Sequence, residues 1–192
     1  MEFIILSNNA NDNDREAMAK HQTYMNFLEN FNQDFEKDLF MYFGKWFFHD
    51  GKIENMYFSE DMKNLTMRIS CPNIERVTGK PHCYAGAIWF TCTFEGIVNY
   101  QFDVRKIDEY NEPLYSMGTR VLFDQCEINT LTESIEKYSK MYDETFNSII
   151  VKTIPGQRDF SMVFQNVSVT PDEPLAFELM KRDDSFKIPL GI

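Results

Sequence analysis

The sequence predicts an α+β fold in which a mainly antiparallel β-sheet packs against a long N-terminal helix. Three observations predict it. Apolar residues recur at steps of three and four through the first part of the chain, as one face of an α-helix requires. Period-2 alternation, the mark of half-buried strands, fills most of the remaining chain. The switch between the two falls at Trp46-Phe47-Phe48-His49-Asp50-Gly51-Lys52-Ile53. The 192 residues read as a single domain: an N-terminal segment over 1–13 that supplies an edge strand, a helix over 14–44, and a β-rich body over 52–192.

The helix has a launch signal. Asn13 and Glu16 have capping-box spacing, with Asn in place of the usual Ser or Thr. Tyr24, Leu28, Phe31, Phe35, Leu39, Phe43 and Trp46 then form an apolar stripe expected to lie on the sheet, and Gly44 supplies a stop. Ile53–Phe58 and Leu65–Ser70 read as a hairpin across the polar turn at 59–64. Ile88, Phe90, Cys92 and Phe94 share one strand face, Glu95-Gly96 marks a bend, and Val98, Tyr100, Phe102 and Val104 continue the alternation. In Thr119–Ile128, Leu122, Asp124, Cys126 and Ile128 alternate with Val121, Phe123 and Gln125. A second helix is expected over 131–146, opened by a capping box at Thr130–Glu133. Ile149–Ile154 and Phe160–Val169 form a hairpin about Pro155-Gly156-Gln157-Arg158, and 177–180 with 186–188 suggest a last short pair.

Composition bounds the function. Hydrophobic residues make up 43% of the chain and aromatics 15%, ample for a core. The formal net charge is −11. Nucleic-acid phosphates and anionic membranes repel such a chain, so neither is expected as a partner, whereas a basic protein would be attracted. The apolar opening Met1–Leu6 is shorter than a signal-peptide core and no run is long enough to cross a bilayer, so the expected location is the cytoplasm. The four cysteines, Cys71, Cys83, Cys92 and Cys126, form no C-x-x-C pair. Cys92 and Cys126 fall in strand patterns and read as small buried hydrophobes. No metal and no cofactor is expected.

Catalytic constellations are not legible. The chain has three histidines, His21, His49 and His82, too few and too scattered for a metal phosphohydrolase. There is no nucleophile elbow and no glycine-rich phosphate loop. His49 and Asp50 sit at the helix-to-strand turn and are expected to be architectural there, with Gly51 in an unusual backbone conformation. They are also, with Trp89, the first candidates for a binding site, since an aromatic wall beside a titratable group is a common pocket composition.

Phe48-His49-Asp50-Gly51-Lys52-Ile53, followed by Phe94-Glu95-Gly96-Ile97 and the Ile149–Val169 hairpin, resembles small bacterial domain families of unknown function. Those families carry an aromatic-His-Asp-x-x-Ile opening and later β-hairpins, and some sit among toxin-neutralising immunity proteins. The resemblance spans about residues 47–170 and leaves the N-terminal helix and 130–146 outside it. Together with the acidity and the missing catalytic constellation, it points to a non-enzymatic, protein-binding role, of immunity type. The alternative is a small-ligand-binding domain or enzyme with its site near His49, Asp50 and Trp89.

Overall fold

A computed structural model describes residues 14–31, 36–45, 47–49, 51–71, 88–103, 121–154 and 159–172. Its fold is α+β, with a large antiparallel sheet and a few helices. Helix α1 spans Asp14–Phe31, a π-helical segment spans Leu39–Gly44, and helix α2 spans Thr132–Tyr142. The strands are β1 (Lys52–Phe58), β2 (Leu65–Cys71), β3 (Ile88–Glu95), β4 (Asn99–Asp103), β5 (Val121–Ile128), β6 (Asn147–Ile154), β7 (Asp159–Phe164) and β8 (Asn166–Pro171). Among the described residues no helix is long and apolar enough to cross a membrane. The edge strand expected within 1–13 and the short pair expected near 177–188 lie outside the described residues.

A single helix over 14–44 is not confirmed: helix is described over Asp14–Phe31 and again beyond the non-helical Glu36, and 32–35 lie outside the described residues. Its second part starts afresh at Glu36, whose carboxylate accepts the Leu39 N–H at 2.7 Å, as a side chain does at a helix start. The stripe still reaches the core, because Tyr24, Leu28, Leu39 and Phe43 are all fully buried. Gly44 closes the π-helical segment, and its role is close approach. A Cβ there would stand 2.8 Å from Ile128 Cδ1 and 3.6 Å from Leu28 Cδ2. Helix α2 is shorter than 131–146 and lacks the capping box: its N-cap is Leu131, with no side-chain cap bond. It stops at Asp143, which takes the left-handed conformation.

The strand order is β4-β7-β6-β5-β1-β2-β3-β8, and every pairing is antiparallel. The two ends of that order are continuations of each other. β3 runs on into β4 through Gly96–Val98, and β7 runs on into β8 through Gln165. Thus β3 with β8 and β4 with β7 are two halves of one long bent ladder, joined at the bend by Gln165 N–H to Glu95 O and Val98 N–H to Val163 O. With β1 paired to β5 at Lys52–Leu122 and Ile53–Val121, the pairings run in a ring. Gly96 makes the corner with φ +64°, a value that favours glycine. The bend foreseen at Glu95-Gly96 is therefore present, but the alternation beyond it belongs to a strand with a different partner. Likewise the single strand expected over 160–169 is broken in two at Gln165.

The apolar faces of the ring point inward. Phe58 on β1 meets the rings of Tyr100 at 5.0 Å and Phe102 at 6.2 Å on β4, a strand it does not pair with. On β5 a register shift between Phe123 and Gln125 changes the phase of the alternation. Phe123 consequently shares the core with Cys126 and Ile128, against the simple period-2 reading. Two side chains anchor the helical layer to strand backbone. The Tyr24 hydroxyl accepts the buried Ile128 N–H at 3.0 Å, and the Asp38 carboxylate accepts the Val169 N–H at 2.8 Å.

Candidate interaction surface

Alternation that sends one side chain inward sends the next outward. Leu65, Met67 and Ile69 on β2 and Phe90, Cys92 and Phe94 on β3 are buried, so Thr66, Arg68, Trp89, Thr91 and Thr93 stand on the opposite face. Register places Arg68 across from Asn55 on β1 and Thr91 on β3, and sets Tyr57 across from Thr66. The outer face of β1, β2, β3 and β8 is thus a polar surface centred on Arg68.

Its charges are organised in pairs. The Arg68 guanidinium lies over the Trp89 ring at 4.4 Å from the centroid. It also donates to Asp172 Oδ2 from Nε at 3.0 Å and from a terminal nitrogen at 2.6 Å. Asp172 is fixed in turn, since its N–H reaches Trp89 O at 2.8 Å and Thr91 Oγ1 donates to its Oδ1 at 3.1 Å. Beside this group Glu54 accepts from Ser70 Oγ at 2.8 Å and pairs with Lys52 at 2.5 Å. Exposed ion pairs of this kind stabilise a fold by about 0–1 kcal/mol, so the network orients side chains more than it holds the sheet. Tyr57, 60% exposed, extends the face on β1.

Of the three site residues that the sequence groups together, Trp89 and His49 are among the described residues. Trp89 is half-buried on this outer face beside Arg68. His49 is exposed in the turn that leads into β1. Asp50 lies outside the described residues. Beside His49, Phe48 meets Phe43 and Phe90 edge-on and Phe123 at a tilt in the core. Gly51 donates its N–H to Phe48 O at 2.7 Å. It is glycine for space, since a Cβ would meet Phe48 O at 2.7 Å and Ile69 Cγ2 at 3.1 Å, and it does not adopt the positive φ expected of it. A cavity does form among the described residues, and neither His49 nor Trp89 is among its described lining.

The cysteine chemistry follows burial. Desolvation pushes the Cys71 thiol up to about 12 and raises Cys92 well above its ordinary value, which leaves both as inert thiols. Among the described residues no group of three or more His, Cys, Asp or Glu side chains could hold a metal ion. Sequence reasoning found Trp89 but missed its partners. Arg68 could have been read as the outward phase of Leu65–Ser70, whereas nothing in the sequence signals Asp172.

No family model and no curated protein matches the chain. A solved structure described as an uncharacterized protein from Neisseria gonorrhoeae is similar over 65% of this chain and 93% of its own, at 12% identity and a TM-score of 0.36. At that level of likeness neither fold nor activity transfers.

Proposed function

We propose that the protein is a non-enzymatic, protein-binding domain, of toxin-immunity type, that takes a basic protein partner on the outer face of β1, β2, β3 and β8. The observation that carries this reading is the grouping of Tyr57, Trp89 and Arg68 on one polar sheet face. Those residue types supply most of the energy in protein interfaces, because each combines a large rigid surface with a polar end. Arg68 is already held by Trp89 and Asp172, so little side-chain entropy is left to lose on docking. Steering comes from the whole chain: a net charge of −11 accelerates encounter with a basic surface, as in neutralisation of a nuclease. Location in the cytoplasm, where such a partner would act, belongs to the same reading.

The test compares capture from a native lysate by the wild-type chain and by Arg68→Ala and Trp89→Ala. The reading expects one basic protein, retained at low salt, released at high salt, and lost with either variant while circular dichroism stays unchanged. Equal capture by wild type and variants would refute the face. Recovery of no basic partner at low salt would refute the function.

A further inference from the structure

A second feature stands apart from that face and does not depend on it. On the outer side of β4, β6 and β7 lies a cavity of about 240 Å³, lined by Gln101, Leu131, Ile150, Lys152, Asp159 and Ser161 with Phe160. That volume is far above the ~10–15 Å³ a single water needs. Register explains why these residues meet: Gln101 and Ile150 both pair with Ser161, one on each side of β7.

Two charges line the cavity, and they are not equivalent. The Asp159 carboxylate is tied to β6 through one oxygen, while its Oδ2 faces the Lys152 ammonium at 3.6 Å. Its Oδ1 accepts the Thr153 N–H at 2.9 Å and the Thr153 hydroxyl at 3.3 Å, and its side chain is 4% exposed. The Lys152 ammonium carries three donors on a side chain that is 13% exposed. Among the described residues its polar contact is Asp159 Oδ2 at 3.6 Å, beyond hydrogen-bond length. A half-buried ammonium in that position is stabilised by an acceptor that can approach to about 2.8 Å, and the cavity leaves room for one. Leu131 and Ile150 give the cavity apolar lining, while Ser161 and Gln101 add hydrogen-bonding groups.

We propose that this cavity binds a small carboxylate with an aliphatic tail: the carboxylate on Lys152, its polar edge on Ser161 and Gln101, and the tail on Leu131 and Ile150. A cation would meet the Lys152 ammonium, and a neutral amide would offer a weaker acceptor. The chain's overall negative charge opposes an anion at long range, but salt screens that over about 8 Å, so the adjacent ammonium decides.

The test titrates sodium isovalerate into the full chain at constant ionic strength, reading the methyl NMR signals of Leu131 and Ile150, with isovaleramide as the neutral control. The expected result is a saturable shift of both methyl groups, with affinity for the amide weaker by about tenfold or more, as loss of a charge-assisted bond predicts. Lys152→Met should lower affinity for isovalerate by a similar factor. Ser161→Ala, which leaves the Lys152–Asp159 pair in place, should lower it several-fold and keeps the test decisive if the lysine variant does not fold. Equal affinity for the amide, no saturable shift, or unchanged affinity in a folded variant would overturn the proposal.

Discussion

Replacing Tyr24 with Phe isolates the bond between the first helix and the sheet. Tyr24 is 1% exposed, and its hydroxyl accepts the Ile128 N–H at 3.0 Å in a buried setting. Phenylalanine keeps the ring and its packing, including the stacked contact with Phe27 at 6.3 Å. What goes is one acceptor, and a buried backbone donor is left without it. That asymmetry costs about 1–3 kcal/mol, more than the net value of a solvent-exposed bond. For a domain of this size the loss corresponds to a fall in Tm of roughly 2–12 °C. The pH dependence separates this bond from charge effects. Burial pushes the Tyr24 hydroxyl well above its ordinary value, so the folded state keeps it neutral. Its contribution is then full below the unfolded pKa of about 10 and is lost only as pH rises beyond it. Urea melts at pH 6, 7 and 8 should therefore give the same wild-type-to-Tyr24→Phe difference with an unchanged m-value. Tyr57→Phe, at an exposed site, should stay within about 0.5 kcal/mol of wild type. A Tyr24→Phe chain as stable as wild type would refute the anchoring role.

Gly96→Ala should destabilise by about 1–2 kcal/mol or more, measured by chemical denaturation, since φ +64° disfavours a Cβ and the Gln165 side chain occupies its place. Gly44→Ala should cost about 1–3 kcal/mol in the same assay, because its Cβ would press on Ile128 in a packed core. Cys71 and Cys92 should resist aqueous thiol reagents at pH 8 in the native chain and react on unfolding, since burial holds both thiols protonated. Fast native labelling at either position would show that the core opens there.

The fold class was legible because both periodicities are strong where side chains face a single core. Leu65–Ser70 and Ile88–Phe94 read correctly for that reason. The misreadings have local physical causes. Phe123 reads as out of phase because one extra residue on β5 resets the alternation, and bulges leave no composition signal. The fresh start at Glu36 was hidden because the apolar spacing continues through it. Gly96 announced a bend but not which strand would receive the chain afterwards, since partner choice depends on contacts far away in sequence. The candidate site shows the same division. Trp89 stands out by residue type, whereas Arg68, Asp172, Lys152 and Asp159 gain meaning only from register and from the pairing of β6 with β7.

The ring of pairings also sets an order on biosynthesis. The strands β2 and β3 leave a ribosome well before residues 159–171, which supply β7 and β8, the partners of β4 and β3. Until then β3 presents an unsatisfied backbone edge that carries Phe90, Cys92 and Phe94, the kind of apolar edge that recruits other chains. Long-range ladders of this type close slowly, because loop entropy must be spent before the contacts form. A nascent chain of this protein therefore passes through a window in which chaperone capture competes with self-association, and yield should depend on synthesis rate more than on the stability of the finished fold.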